Sequence, residues 1–291
     1  MQPFAYARPD TLTEAVDLLV RHGGDARVLA GGTDLVIRLR DGSFAPSVVV
    51  DVKRVPELAP GILATGDGGL VIGATTTMTE IAAHPVIRRD LAALAEAAAV
   101  VGSVQIRNRA TLAGNLCNAS PAADTAPALL VHRAVVVVAG PDGTRRIALD
   151  DFFVRSGVTT LAPGELVAAV ELPAGPSRMA SAHERRTRRR GHDLASVTVA
   201  CGVDADGVVR LAFGSLGPRP VLRIDESGGL GDPATPDDVR DRLLEAMLGD
   251  ARPSATSMRA GPTYRLAMLR IHARRALARA LERRASGEGI P

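Results

Sequence analysis

Two short segments hold the residue types best suited to chemistry. In Leu29-Ala30-Gly31-Gly32-Thr33-Asp34 an apolar run meets paired glycines and a hydroxyl just before an amphipathic segment at Leu35. Glycines allow close backbone approach, and free N–H groups at a helix start attract anions, so a phosphate could sit there. A tight turn without a ligand accounts for the same residues. The loop is not a Walker A motif, since no Gly-Lys-Ser/Thr follows, and it lacks the spaced glycines of a Rossmann fingerprint. The second segment, Thr111-Leu112-Ala113-Gly114-Asn115, lies within residues 105–124, a stretch dense in amides and hydroxyls and flanked by apolar sequence. Buried polar groups are costly unless paired, so such a stretch inside a domain calls for a polar ligand. Two phosphate-competent loops in one domain suit a dinucleotide better than either does alone.

The elements around these loops can be read from capping and periodicity. Thr11 and Glu14 have capping-box spacing ahead of Leu12, Val16, Leu19 and Val20, and Gly23-Gly24 closes that helix. Residues 27–30 form a short apolar run, and β-branched residues at 47–52 predict a buried strand. A strand at 69–72 leads to a second capping box, Thr77 and Glu80, and a short helix broken by Pro85. An alanine-rich helix is predicted over 91–101, whereas 105–118 fits no simple period. A helix follows Asp124, which could serve as its N-cap. Hairpins are predicted over 135–148, through Pro141-Asp142-Gly143, and over 196–213, through 204–207. Thr235-Pro236 starts a helix with proline at its first position. The last helix covers about 262–285, with Leu266, Leu269, Ala273, Leu277 and Leu281 on one stripe. Pro173-Ala174-Gly175-Pro176-Ser177 is the best linker. Strands and helices mix without regular alternation, which argues for α+β.

Composition removes several function classes. The 291 residues are 46% hydrophobic and 23% charged, the profile of a chain with a real core and room for about two domains. Lys+Arg numbers 35 against 32 for Asp+Glu, and aromatics are only 2% with no Trp. Neither a strong basic patch nor a stacking platform is supplied, so nucleic acid is not an expected partner. No apolar run is long enough to span a membrane, and the first ten residues lack a signal-peptide pattern, so a cytoplasmic location is expected. Two cysteines, Cys117 and Cys201, cannot build a four-thiolate iron–sulfur site.

In these and further segments the chain resembles the FAD-binding medium subunit of molybdenum hydroxylases, the group that includes carbon monoxide dehydrogenase and xanthine dehydrogenase. The likeness runs through Phe4-Ala5-Tyr6, the loop at 30–35, Val52-Lys53-Arg54-Val55-Pro56-Glu57-Leu58 and Ile72-Gly73-Ala74-Thr75-Thr76. It continues through 106–124, its most specific piece, then Pro163-Gly164-Glu165-Leu166, 188–197 and Tyr264-Arg265. The resemblance implies a two-part FAD-binding domain of the PCMH/vanillyl-alcohol-oxidase-like type over 1–175, with subdomains of about 1–57 and 58–175. A C-terminal α/β domain of the CO dehydrogenase flavoprotein type would follow over 178–291. It implies that Leu29, Ala30, Gly31, Gly32, Thr33 and Asp34 hold the FAD pyrophosphate together with Thr111, Ala113, Gly114 and Asn115. Asp124 would hydrogen-bond the cofactor and Leu166 would line the adenine or ring region.

Departures from the family pattern are also informative. Ala113-Gly114 stands where two glycines are usual, and the restricted φ of alanine is expected to shift the phosphate fit. His183-Glu184-Arg185 stands where Tyr or Phe followed by Glu-Lys is usual. That region approaches the flavin in the family, so His183 is expected to alter access or the acceptor, and Arg185 keeps the charge with a different donor shape. Apart from that role, the arginines at 185–190 read as a solvated or subunit-facing surface, and His192 beside Asp193 as packing or capping.

The resemblance implies partner chains: an iron–sulfur subunit, a molybdenum-cofactor subunit, and an external acceptor such as NAD, a quinone or oxygen. The three chains would form a heterotrimer that commonly pairs into a dimer. Catalysis would reside in the flavin, with no acid or base required from the chain. Two alternatives stand beside this reading, a stand-alone flavin oxidoreductase and a scaffold subunit that has lost FAD.

Overall fold

The computed structural model describes residues 1–174, 179–189 and 191–287. Local capping sets the first elements. Thr11 accepts from the Glu14 amide to start the helix Leu12–His22, which buries Ala15, Val16 and Leu19. This helix covers a parallel three-stranded sheet in the order β1-β3-β2, with β1 Ala5–Ala7, β2 Ala26–Leu29 and β3 Val48–Asp51. All four residues of β3 are buried, the three valines as their apolar run predicts and Asp51 with its carboxylate paired to Lys53 and the Tyr6 hydroxyl. The first loop leaves the carboxyl end of β2, the end at which parallel sheets present ligands.

Strands β4 Ile62–Ala64, β5 Leu70–Gly73, β6 Val135–Gly140, β7 Gly143–Ala148 and β10 Leu166–Leu172 form an antiparallel sheet in the order β4-β5-β10-β6-β7. The small hairpin of β8 Phe153–Arg155 and β9 Val158–Thr159 precedes β10 in sequence. The capping box at Thr77 and Glu80 is complete in both directions. Pro85 follows the helix Met78–Ala83 and opens the next one, Pro85–Asp90, so it marks a boundary and a start. The stretch without a simple period contains two short helices, Val104–Arg107 and Leu112–Cys117, capped by the hydroxyls of Ser103 and Thr111. Pro236 occupies the N-cap position of Asp237–Met247, one place before the expected one.

The third sheet, β11 Ala180–Arg186, β12 Val197–Val203, β13 Val209–Gly214 and β14 Val221–Asp225, is antiparallel in sequential order. Its two faces bury different partners. Ala182, Val197, Val199, Cys201, Leu211 and Phe213 share a core with Leu269, Ala273, Ala276, Leu277 and Ala280 of the long helix Pro262–Ser286. Ala200 and Ala212 belong instead to the larger core of the preceding residues. The helices Ala92–Ala99 and Thr125–Val131 cover that side. Small residues make this packing close: a Cβ at Gly214 would lie 2.8 Å from the Pro121 carbonyl oxygen. Of the expected linker, Pro173 and Ala174 follow β10, while Gly175, Pro176 and Ser177 lie outside the described residues. Among the described residues no helix is long and apolar enough to cross a membrane.

Candidate functional site

The structure brings the two glycine loops into contact. Gly31 packs against the chain just before Thr111, so closely that a Cβ there would lie 2.1 Å from the Arg109 carbonyl oxygen. Gly32 has φ +76°, a left-handed conformation that side chains adopt only with strain. The second loop is fixed from below by Met78 N–H donating to Ala110 and Leu112 N–H donating to Thr76, at 2.9 and 3.1 Å. Two short helices, Leu35–Arg40 and Leu112–Cys117, therefore start beside the same contact.

The amides divide into spent and available groups. Thr111 Oγ1 accepts from Gly114 N–H at 3.2 Å, and Asn115 N–H donates to the Thr111 carbonyl, so these two amides are satisfied. Among the described residues no protein group accepts from the N–H of Gly31, Gly32, Thr33, Asp34, Thr111 or Ala113. The Thr125 hydroxyl donates to Asn115 Oδ1 at 2.6 Å, which leaves the Asn115 amide hydrogens for another acceptor. Unpaired donors on two touching loops suit a pyrophosphate spanning both. Asp34 is exposed and its side chain caps nothing. Leu166 opens β10, buries its side chain in the core, and belongs to a strand packed against Leu112–Cys117. Ala113 sits in a helical turn with its methyl in the core, which explains how alanine is accommodated there.

A second group of residues lies around Asp124. Its side chain does not cap the helix Thr125–Val131, contrary to the simplest reading of an Asp at that position. Instead Asp124 Oδ2 accepts from Arg185 Nη1 at 2.9 Å, while Oδ1 is buried without a hydrogen-bond partner among the described residues. His183 Nε2 is 3.8 Å from that orphaned oxygen and hydrogen-bonds Thr198 Oγ1 at 3.0 Å. Burial pushes the Asp124 carboxyl up to about 7 against the opposing pulls of Arg185 and of the neighbouring Thr198 hydroxyl. Burial also pushes His183 down to about 4, so this imidazole is neutral at pH 7.

Arg185 is not part of a solvated surface. Its side chain is 14% exposed and its fork reaches the Val100 and Asp193 carbonyls as well as Asp124. Arg188 and Asp193 close a loop on themselves, as a capping role for Asp193 predicts, and Arg186 donates to the Tyr264 hydroxyl. Arg190 lies outside the described residues.

The two touching loops thus offer unpaired amides to an anion, and comparison with known proteins gives the family. Residues 2–175 match the family model for the FAD binding domain in molybdopterin dehydrogenase, and 183–280 match the CO dehydrogenase flavoprotein C-terminal domain. The chain belongs to this family of FAD-binding dehydrogenase subunits. It is 31% identical over 283 residues to the xanthine dehydrogenase FAD-binding subunit of Escherichia coli O157:H7, covering 95% of this chain and 96% of that one. It is 30% identical over 278 residues to the carbon monoxide dehydrogenase medium chain of Hydrogenophaga pseudoflava, covering 94% and 96%. A crystal structure of cyanide-inactivated Cu,Mo-CO dehydrogenase contains a chain that superposes with TM-score 0.89 at 28% identity, covering 97% and 100%. The fold is thus the two-part FAD-binding domain followed by the CO dehydrogenase flavoprotein domain, FAD is the cofactor, and the chain is an oxidoreductase component.

Sequence reasoning missed four residues that this FAD-binding subunit places at or beside the site. Arg109 receives Gly31, Thr198 holds His183, and Glu96 accepts from the His183 backbone N–H at 2.8 Å. Arg38 donates to Asn118 Oδ1 at 2.6 Å across the two loop-bearing helices. Of these, only Arg109, like Asn118, carried a signal, its place in the stretch 105–124. The others depend on contacts between distant segments.

Proposed function

We propose that the chain binds FAD across the two loops, receives electrons from iron–sulfur clusters on a partner subunit, and passes them to an external acceptor. The observation that carries this reading is the contact of Gly31 with Arg109, which sets two rows of unpaired amides side by side. In this proposal the amides at 31–34, with the backbone of Leu29 and Ala30, hold one side of the pyrophosphate. Thr111, Ala113 and Asn115 hold the other, with Gly114 supplying close approach and Leu166 the apolar wall behind them. Bound flavin supplies reversible acceptance of electrons singly or in pairs, which suits a link between one-electron clusters and a two-electron acceptor.

The remaining residues manage protons and position. Arg185 occupies Asp124 Oδ2, so a proton on this carboxyl resides on Oδ1, where it can be donated as a hydrogen bond. Neutral His183 beside it adds no charge to the site. Two cysteines are too few for a cluster, which supports an iron–sulfur partner, and a molybdenum-cofactor subunit would oxidise the substrate in the same heterotrimer. We further place the complex in the cytoplasm and divide the chain near 175–178, a division that the matched ranges 2–175 and 183–280 support.

The purified chain, mixed with FAD and freed of excess, is expected to show bands near about 370 and 450 nm. A chain that stays colourless, alone and with its partner subunits, overturns the proposal. Reoxidation of the reduced complex by NAD, by a quinone and by oxygen then identifies the acceptor. Uptake of FAD without reduction through an iron–sulfur partner would favour a stand-alone flavoprotein.

A further inference from the structure

The two loops touch at one end, and a single contact would leave them free to hinge. A second connection lies at the far ends of the helices that the loops introduce. Arg38 projects from Leu35–Arg40, and its Nη2 donates at 2.6 Å to Oδ1 of Asn118, the C-cap of Leu112–Cys117. The guanidinium is held in place before it makes that bond. It lies 4.9 Å from the centroid of the Phe44 ring, and the Phe44 N–H donates to the Arg38 carbonyl at 3.0 Å. Arg27, which also lies over Phe44 at 4.8 Å, is itself anchored on the Gly24 and Ala26 carbonyls. A planar guanidinium can stack on the ring and donate along its edge at the same time; an ammonium has no plane with which to do both.

We propose that Arg38 and Asn118 form a clamp that fixes the spacing and angle of the two cofactor loops, making both positioning residues for the site. This rests on the FAD reading of those loops. The clamp acts through geometry and not through charge on the phosphate: the Gly31 contact fixes the distance between loops, and the Arg38–Asn118 bond removes rotation about that point.

The test is the rate at which FAD leaves the loaded chain, followed by flavin fluorescence, together with hydrogen exchange of the amides at 31–34 and 111–115 in the cofactor-free chain. Arg38→Ala and Asn118→Ala are each expected to speed FAD release about tenfold, the scale of one hydrogen bond to a charged group. The double variant should release FAD no faster than either single one, because both remove the same contact. Asn118→Asp keeps the acceptor and should match the wild type, whereas Arg38→Lys should behave like Arg38→Ala. The loop amides should exchange faster in both alanine variants. Release rates and exchange unchanged from wild type would overturn the clamp, as would single effects that multiply to about a hundredfold. An effect of Arg38→Ala without one of Asn118→Ala would also overturn it, since Arg38 would then act on the phosphate directly. If the wild-type chain takes up no FAD, the proposed function fails instead, and the exchange measurement still decides the clamp.

Discussion

Replacing Gly31 by alanine tests the contact on which the site is built. The added methyl carbon would stand 2.1 Å from the Arg109 carbonyl oxygen, 2.8 Å from its carbon and 3.0 Å from Ala110 Cα, all backbone atoms that cannot rotate away. Ordinary contact begins at about 3.4 Å, so the loops must part by about 1.3 Å. Overpacking of this kind costs about 1–3 kcal/mol, and a shift of about 1 Å in a binding constellation can cost about a hundredfold. Gly31→Ala is therefore expected to weaken FAD binding by about ten- to a hundredfold in a fluorescence titration. Gly114→Ala offers the control, since its methyl meets only the Thr111 hydroxyl, a side chain that can turn, at 2.9 Å. That variant should lose less. Wild-type FAD affinity in Gly31→Ala, or a larger loss in Gly114→Ala, would refute the reasoning.

Two further expectations concern protons and docking. Asp124, raised by burial, binds its proton more tightly folded than unfolded, so its contribution to stability is full below the unfolded carboxyl pKa and falls as pH rises toward about 7. His183 and His132, each lowered by burial to about 4, contribute oppositely: their stability is present above the unfolded imidazole pKa and is lost as pH falls toward about 4. Asp124→Asn should therefore make the melting temperature of the cofactor-free chain rise more steeply between pH 4 and 6.5, and parallel profiles would count against the assignment. Glu96 accepts from Arg279, Arg283 and the His183 N–H, so Glu96→Ala leaves three donors unmatched and should cost about 3 kcal/mol in urea unfolding. A cost below about 0.5 kcal/mol would show that these bonds do not hold the halves together.

What the sequence revealed depended on the range of the interactions involved. Caps act over three or four residues and tight turns over as few, so the helices at Thr11 and Thr77 and the hairpins at 135–148 and 196–213 were legible. The first loop was legible as a glycine pair ahead of a helix, but its contact with the Arg109 carbonyl, 78 residues on, was not. The helices Val104–Arg107 and Leu112–Cys117 were not, since each is shorter than two turns and too short for a period to register. Strand β10 went unread although it is the middle of its sheet: Leu-Val-Ala-Ala-Val-Glu-Leu is apolar on both faces, so no alternation marks it. The Asp124 position looked like a helix cap because the competing partner, Arg185, is 61 residues away. Tertiary pairing overrode the local preference there.

The outer edge of β11 carries one more consequence. This strand pairs with β12 on one side only, and on the other its Ser181 hydroxyl accepts from Ala93 N–H at 3.1 Å while Glu96 receives the His183 N–H. An open sheet edge is a template for pairing with another chain. The helix Ala92–Ala99 thus acts as a shield against self-association. A C-terminal half produced without it would expose that edge beside the uncovered sheet face of Ala200 and Ala212, and should form large assemblies visible by light scattering until the missing half is supplied.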